Sequence, residues 1–393
     1  MAEAVIVSAT RTPIGAMGGS LSNVPATKLG AAAVREALRR AGVDGGDLGE
    51  VVLGHVLSAG LGLNAARVAY LEAGVPKEVP GYGVNMACGS GLKAVANVAG
   101  AIALGAYDVG VAGGMENMSR APYLLDKARY GYRLGHGELL DSMIRDGLTC
   151  PITDVHMGVT AENVAAKYEI SRAEQDEFAA ASQAKALAAI EAGKFKAEIF
   201  PIEVPGKKRG ETIEFVVDEF PRAGTTAEKL GGLHAAFKKD GSVTAGNASG
   251  INDGAAALVA MSEQAAKDRG LKPLARIRTW ASAGVDPSIM GMGPWPACEK
   301  ALAQAGLRKE EIDLWELNEA FAAQSLGVLR ELQLDADRVN VHGGAIALGH
   351  PIGASGARVL VTLLHALEDR DGHLGVASLC IGGGQGIAMI VER

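Results

Sequence analysis

Cysteine is scarce in this chain, with only residues 88, 150, 298 and 380 among 393. So few thiols over such a length make a poor disulfide framework, which points to a reducing compartment and leaves free thiols open to chemistry. Positive charge is also short. Lys and Arg total 38 against 45 Asp and Glu, a formal charge of −7, so no basic face is available for nucleic acid, and an anionic ligand must be met by local charges. No apolar run reaches the roughly 20 residues of a membrane span. The opening segment Ala4-Val5-Ile6-Val7-Ser8 reads as a buried strand and leaves no room for a signal or transit peptide. The expectation is a soluble, cytoplasmic protein with neither nucleic-acid nor membrane partner. Its length and 48% hydrophobic content suggest two or three domains.

What the chain does contain is an internal repeat. Ala37-Leu38-Arg39-Arg40-Ala41-Gly42-Val43 returns as Ala301-Leu302-Ala303-Gln304-Ala305-Gly306-Leu307. Each run has helical periodicity, a glycine stop, a short acidic turn and then a strand, Val51-Val52-Leu53 or Leu314-Trp315-Glu316-Leu317. Nearly the same spacing separates Ser90-Gly91 from Ser355-Gly356, each expected to open a helix rich in small residues. An apolar strand follows in each half and runs into paired glycines, Gly113-Gly114 and Gly382-Gly383. Alternating strands and helices predict two α/β halves with largely parallel sheets, and two copies make a duplicated domain, not a solenoid.

Residues 119–244 differ in character. Tyr130-Gly131-Tyr132-Arg133 has no periodicity and reads as loop. Ser171-x-x-Glu174 is a capping box that starts a helix running to Ala192, with Gly193 as its stop. Basic residues gather at Lys207-Lys208-Arg209, Arg222 and Lys238-Lys239. Singly these read as solvated surface, whereas as a set they suit a polyanionic substrate tail.

The chemistry-bearing residues sit at the two ends of the chain. Cys88 stands at a helix start, where a thiol's pKa is lowered, and its neighbours Gly89 and Gly91 let a backbone N–H approach an oxyanion. Asn85 is placed to brace that turn. His350, restrained by Pro351, reads as the end of a strand before a glycine-rich helix, a good position for a base or an oxyanion donor. Cys380 leads into Gly382-Gly383-Gly384, a run that implies very close backbone approach. Asn318 closes a strand at its carboxyl end, where α/β sites gather. Each taken alone also fits a structural residue, a thiol packed under a helix or a buried histidine.

Together, Asn85-x-x-Cys88-x-Ser90-Gly91, Gly113-Gly114-Met115-Glu116, Gly246-Asn247-Ala248-Ser249, Asn318-Glu319-Ala320-Phe321, Gly349-His350-Pro351 and Cys380-x-Gly382-Gly383-Gly384 resemble the thiolase family, in order and over essentially the whole chain. The resemblance implies a layered α-β-α-β-α core built from two duplicated halves with mixed, largely parallel sheets. Residues 1–118 plus 245–270 would form the N-terminal half, 271–393 the C-terminal half, and 119–244 an inserted loop domain for coenzyme A binding and oligomer contacts. It further implies Cys88 as the acylated nucleophile, His350 as its activator and Cys380 as the acid/base acting on the α-proton. Asn318 would hold a water that, with His350, binds the thioester oxygen, and the N–H groups of Cys88 and Gly382 would form a second oxyanion hole.

Within that family, His156-Met157-Gly158 and Met290-Gly291 look like the short-chain enzymes, with Met157 and Met290 closing the acyl pocket. By the same resemblance Leu148, Arg222, Phe237, Ala245, Ser249 and Phe321 would contact coenzyme A, beside Ala320. Leu63 departs from a common glutamine and His342 from a common asparagine. The implied reaction is reversible ping-pong Claisen condensation of two acetyl-CoA to acetoacetyl-CoA and CoA. It uses neither metal nor prosthetic group, coenzyme A entering only as substrate and product, in a homotetramer. The neighbouring expectation is a degradative 3-ketoacyl-CoA thiolase of broader chain length. Intact Cys88, His350, Cys380 and Asn318 argue against a silent scaffold. Ketosynthase-type enzymes share the fold but typically carry histidine at the position of Cys380.

Overall fold

The computed structural model describes residues 2–206 and 210–393, so the predicted basic cluster Lys207-Lys208-Arg209 lies outside the described residues. Nine principal strands are β1 (Ala4–Arg11), β2 (Glu50–Gly54), β3 (Gly81–Val84), β4 (Val109–Asn117), β5 (Asn252–Ser262), β6 (Ala275–Gly284), β7 (Leu314–Leu317), β8 (Leu374–Ile381) and β9 (Gln385–Glu392). They join edge to edge in the order β7-β8-β9-β6-β1-β5-β4-β2-β3. Within the sheet the two halves join where Val5 and Ile6 of β1 pair with Arg276 and Ala275 of β6.

Eight helices matter here: α1 (Ala26–Ala41), α2 (Ala65–Glu72), α3 (Ser90–Ala103), α4 (Met157–Lys167), α5 (Arg172–Glu191), α6 (Pro294–Ala305), α7 (Ala322–Leu332) and α8 (Ile352–Asp369). Side-chain alternation along the strands sorts them into layers. Val51 and Leu53 pack outward with α1 and α2, whereas Val52 packs inward with α3 and α8. On the other half Trp315 and Leu317 pack outward against α6 and α7. The inward-facing Leu314, Ala377 and Leu379 join the same central cluster as Val52. The order is therefore helix, sheet, helix, sheet, helix, and α8 is buried without a break from Ile352 to Leu364. A helix apolar on all sides can only lie inside.

The mixed sheet is as expected, but its proportions are not. Parallel pairing is confined to β7/β8, β2/β3 and β2/β4, while β1/β5, β5/β4, β6/β9 and β8/β9 are antiparallel. The glycine turn between β8 and β9 makes a hairpin in place of a crossover, and a hairpin forces antiparallel neighbours. Other details also shift. Gly113-Gly114 lies inside β4, not beyond it, and Ser355-Gly356 falls in the second turn of α8, because Pro351 caps that helix three residues earlier than expected. His350 follows a short helix, Ala345–Leu348, and a left-handed Gly349 (φ 106°), not a strand.

The repeat itself holds. α1 and α6 both end at left-handed glycines, Gly42 (φ 61°) and Gly306 (φ 66°), each N–H capping the preceding turn. The capping box at Ser171 and Glu174 starts α5. α3 and α8 cross where the duplicated glycines touch. A Cβ on Gly356 would lie 2.3 Å from the Leu92 nitrogen, and one on Gly91 would lie 2.6 Å from that of Ala357.

Candidate active site

Both halves bring chemistry to the carboxyl ends of their parallel strands, as open α/β sheets do. β3 ends at Val84, and the chain turns through Asn85-Met86-Ala87-Cys88 into α3. The turn is strained, since Ala87 takes φ 42° without being glycine. It persists because it is held from several sides. Asn85 Oδ1 accepts from the Ala87 N–H (3.0 Å), and Ser90 Oγ accepts from the Met86 N–H (2.8 Å) while donating to the Ala87 carbonyl (2.6 Å). Cys88 is thereby presented half-buried on a cavity wall.

The low thiol pKa expected from the helix start is not found. Burial pushes the Cys88 thiol up to about 11, and the backbone N–H groups of Gly382 and of Cys88 itself, which favour the thiolate, only partly offset it. Cys380, fully buried near the end of β8, is raised well above the ordinary thiol range by burial and then by the proximity of Cys88. A thiolate at Cys88 therefore disfavours a second one at Cys380.

His350 lies in the extended link before α8. Its Nδ1 is 2.6 Å from Ser355 Oγ, which donates to the Pro351 carbonyl at 2.9 Å. Its Nε2 is buried with no hydrogen-bond partner among the described residues. Burial, helped by the Arg358 guanidinium, pushes the imidazole down to about 3, so the ring is neutral at physiological pH. Asn318, just beyond β7, has both amide atoms buried and likewise without partners among the described residues. A buried amide with nothing to bond is costly, and such a group commonly holds a water or a ligand.

The cavity measures about 550 Å³ and takes Cys88 and His350 into its walls. Met157 and Met290 line it, and Met157 Sδ would stand 3.3 Å from a Cβ on Gly382. Cys380 packs into one apolar cluster with Met157, Met290, Ala320 and Phe321. His156 stacks on Phe237 with ring centroids 4.8 Å apart, and its Nδ1 accepts from the Gly158 N–H (3.0 Å). Burial lowers its pKa too. Leu148, Ala245 and Ser249 also line the cavity, and the Ser249 N–H donates to the Ala320 carbonyl (3.0 Å). Arg222 lines it too, its guanidinium 5.3 Å from the Phe220 ring centre. Of the residues to which the resemblance gives a catalytic or substrate-contacting role, Asn318, Cys380 and Gly382 do not line the cavity. Cys380 and Gly382 adjoin the lining residues through the contacts just given.

Several supports escaped the sequence reading. Glu116 had been noticed only as part of a motif. Its buried carboxylate accepts from the Val56, Leu57 and Gly353 N–H groups and stands 3.1 Å from His55 Nε2, tying the two halves together. Asn247 binds Asp176, Ser242 and Thr244 and so shapes the loop against Ala320. Ser355 carried a signal, its repeat equivalence to Ser90, but only coordinates reveal its contact with His350. Met118, Phe220, Ile251 and Ile352 line the cavity as ordinary apolar residues with no sequence mark. Among the described residues no cluster of His, Cys, Asp and Glu could hold a metal ion, and no helix is long and apolar enough to cross a membrane.

Residues 4–264 match the family model for the thiolase N-terminal domain and residues 271–393 that for the thiolase C-terminal domain. The chain is 60% identical to the acetyl-CoA acetyltransferase of Escherichia coli over 394 residues, and 60% identical to that of Pseudomonas aeruginosa over 393, covering 100% of each chain in both cases. A crystal structure of the Bacillus anthracis acetyl-CoA acetyltransferase superposes with a TM-score of 0.97 at 50% identity, covering 100% of this chain and 99% of that one. With the paired thiols, the buried histidine and the duplicated α/β halves all in place, the chain belongs to the thiolase family.

Proposed function

We propose that this protein is an acetyl-CoA C-acetyltransferase, condensing two acetyl-CoA into acetoacetyl-CoA and CoA and running the same steps in reverse. The observation that carries the reading is that Cys88 and neutral His350 line one cavity with Met157 and Met290, against which Cys380 packs. The names of its relatives agree.

In the first half-reaction Cys88 Sγ attacks the thioester carbon of acetyl-CoA while His350 Nε2 takes the thiol proton. The C–S bond to CoA breaks as the Cys380 thiol gives its proton to the CoA sulfur, which leaves Cys380 as the thiolate and the Cys88 proton on His350. Acylation removes the charge that Cys88 would otherwise carry beside Cys380, so the second thiol becomes easier to ionise. In the second half-reaction Cys380 Sγ takes an α-proton from another acetyl-CoA, and the resulting carbanion attacks the acyl carbon on Cys88. The N–H groups of Cys88 and Gly382, which favour negative charge on the Cys88 sulfur, stabilise the oxyanion there. Collapse breaks the bond to Cys88 Sγ, which recovers its proton from His350, while Cys380 keeps the α-proton and is again a thiol. Asn318 would hold the water that, with His350, meets the substrate thioester oxygen.

Arg222, with Leu148, Phe237, Ala245 and Ser249, forms the coenzyme A channel in this reading, with exposed Lys238 and Lys239 nearby in sequence. We divide the chain into an N-terminal half of 1–118 plus 245–270, an inserted unit of 119–244 and a C-terminal half of 271–393. Tyr123, Leu125, Tyr130, Leu134 and Leu139, all exposed on the inserted segment, support assembly as a dimer of dimers. Four free cysteines suit the cytoplasm.

The test is CoA-dependent thiolysis of acetoacetyl-CoA beside a long 3-ketoacyl-CoA. Cleavage confined to the short substrate is the expected result. Cleavage of both would assign the protein to broad-chain degradation, and cleavage of neither would refute the enzyme reading.

A further inference from the structure

The hydroxyl of Ser355 is fully buried and sits between two groups. It donates to the Pro351 carbonyl at 2.9 Å and lies 2.6 Å from His350 Nδ1. A serine has one proton. With that proton committed to the carbonyl, the oxygen can only accept from the ring, which places hydrogen on Nδ1 and leaves the lone pair on Nε2. The reverse arrangement would give up one of the two hydrogen bonds in a site where lost bonds are costly. Nε2 is the ring atom with no partner among the described residues, on a side chain that shares its cavity with Cys88.

We propose that Ser355 is a positioning residue that fixes the His350 tautomer, keeping the Nε2 lone pair available to the Cys88 thiol. A hydroxyl suits this work better than a carboxylate, because it orients the ring without adding the negative charge that would draw it toward imidazolium. The duplicated serine supports the assignment. Ser90, equivalent by the repeat, uses its hydroxyl in the same way, donating to the Ala87 carbonyl while accepting from the Met86 N–H. One copy of the hydroxyl thus sets the turn that carries the nucleophile, and the other sets the base.

This inference rests on the acyl-transfer reading only for the identity of the thiol. Its test therefore reads the ring and the thiol directly, without substrate. In full-length protein labelled with ¹⁵N-histidine, His350 is expected to show a protonated Nδ1 and a bare Nε2. Ser355→Ala is expected to lose that preference, and the rate of Cys88 alkylation by iodoacetamide at neutral pH should fall about tenfold or more. Turnover should fall in kcat with KM changed less than about twofold. Ser355→Cys, close in size, should keep the thermal midpoint of the wild type while alkylating Cys88 slowly, which separates lost positioning from lost folding. A bare Nδ1 in the wild type would overturn the proposal, as would wild-type tautomer and alkylation rate in a folded Ser355→Ala. If the wild type cleaves no 3-ketoacyl-CoA, the acyl-transfer reading fails, while the tautomer and alkylation data still decide the role of Ser355.

Discussion

Removing His350 should convert a nearly pH-independent acylation into one that depends on hydroxide. With the Cys88 thiol pushed up to about 11 by burial, only on the order of one thiol in 10⁴ is ionised at pH 7. A general base in contact recovers roughly 10²- to 10⁴-fold of such a deficit by taking the proton as the bond forms. His350, held down to about 3, is already the free base throughout the working range. Wild-type acylation should therefore vary little from about pH 6 to pH 9. In His350→Ala it should fall by about 10³-fold at pH 7, and the residual rate should climb about tenfold per pH unit toward pH 10 as the thiolate forms unaided. The assay is single-turnover acylation by acetyl-CoA, read as the mass increase on Cys88, with thermal unfolding as a check on integrity. A variant rate that is flat from pH 7 to pH 9, or a loss below about tenfold, would refute the reasoning, because either implies that Cys88 is already ionised without the imidazole.

Four further outcomes are expected. Cys380→Ala should still form the acyl-enzyme but lose exchange of the acetyl-CoA α-protons with deuterated water, and an equal loss of both activities would reject the division of labour between the thiols. Met157→Ala should improve longer 3-ketoacyl-CoAs relative to acetoacetyl-CoA by widening the cavity that Met157 lines; an unchanged ratio removes Met157 as the determinant of chain length. Gly356→Ala places a Cβ 2.3 Å from the Leu92 nitrogen at the crossing of α3 and α8, and should cost about 1–3 kcal/mol in urea unfolding, so a cost within ~0.5 kcal/mol would contradict the packing. Glu316, paired with Arg358 at 3.1 Å, is pushed up to about 8 by burial. Its folded pKa exceeds its unfolded one, so its contribution is complete below about pH 4.5 and is lost as pH rises through about 8, by up to ~1.4 kcal/mol per unit. Glu316→Gln should flatten the decline in stability between those limits, and parallel curves for variant and wild type would sink the assignment.

The layers and the repeat were legible because they rest on local periodicity and on glycine stops. Gly42 and Gly306 mark equivalent helix ends, and both adopt the left-handed conformation that a glycine there implies. Sheet direction was less legible, since whether a strand returns by hairpin or by crossover depends on a turn of three residues, Gly382 to Gly384, whose left-handed Gly383 and Gly384 fold β9 back on β8. The position of His350 was missed for a similar reason. A proline restrains the residue before it away from helix, but that restraint fits a link between two helices as well as the end of a strand. The thiol pKa of Cys88 was misjudged because a helix start is visible in sequence and burial is not. Desolvation by residues from both halves outweighs the local N–H groups.

That same burial explains why the site is shared between two copies of one fold. A single half could offer a thiol at a helix start, as at Cys88, but exposed to water it would need no partner and would gain little from one. Packing α3 against α8 at Gly91 and Gly356 removes water from the turn, which suppresses the thiolate and creates the need for a base. In the proposed mechanism the second copy supplies that base, His350, at nearly the equivalent point of the chain. Glu116 couples the two sides, its carboxylate reaching from β4 of the first half to the Gly353 N–H of the second (3.0 Å). Displacement of either half should therefore alter the reactivity of Cys88 before it alters the shape of the proposed coenzyme A channel. Glu116→Gln, which turns one acceptor oxygen into a donor facing the N–H of Val56 and Gly353 or of Leu57, tests this. Slower alkylation of Cys88 with unchanged KM for acetoacetyl-CoA is the expected result, and a raised KM with normal alkylation would place the role of Glu116 in the channel instead.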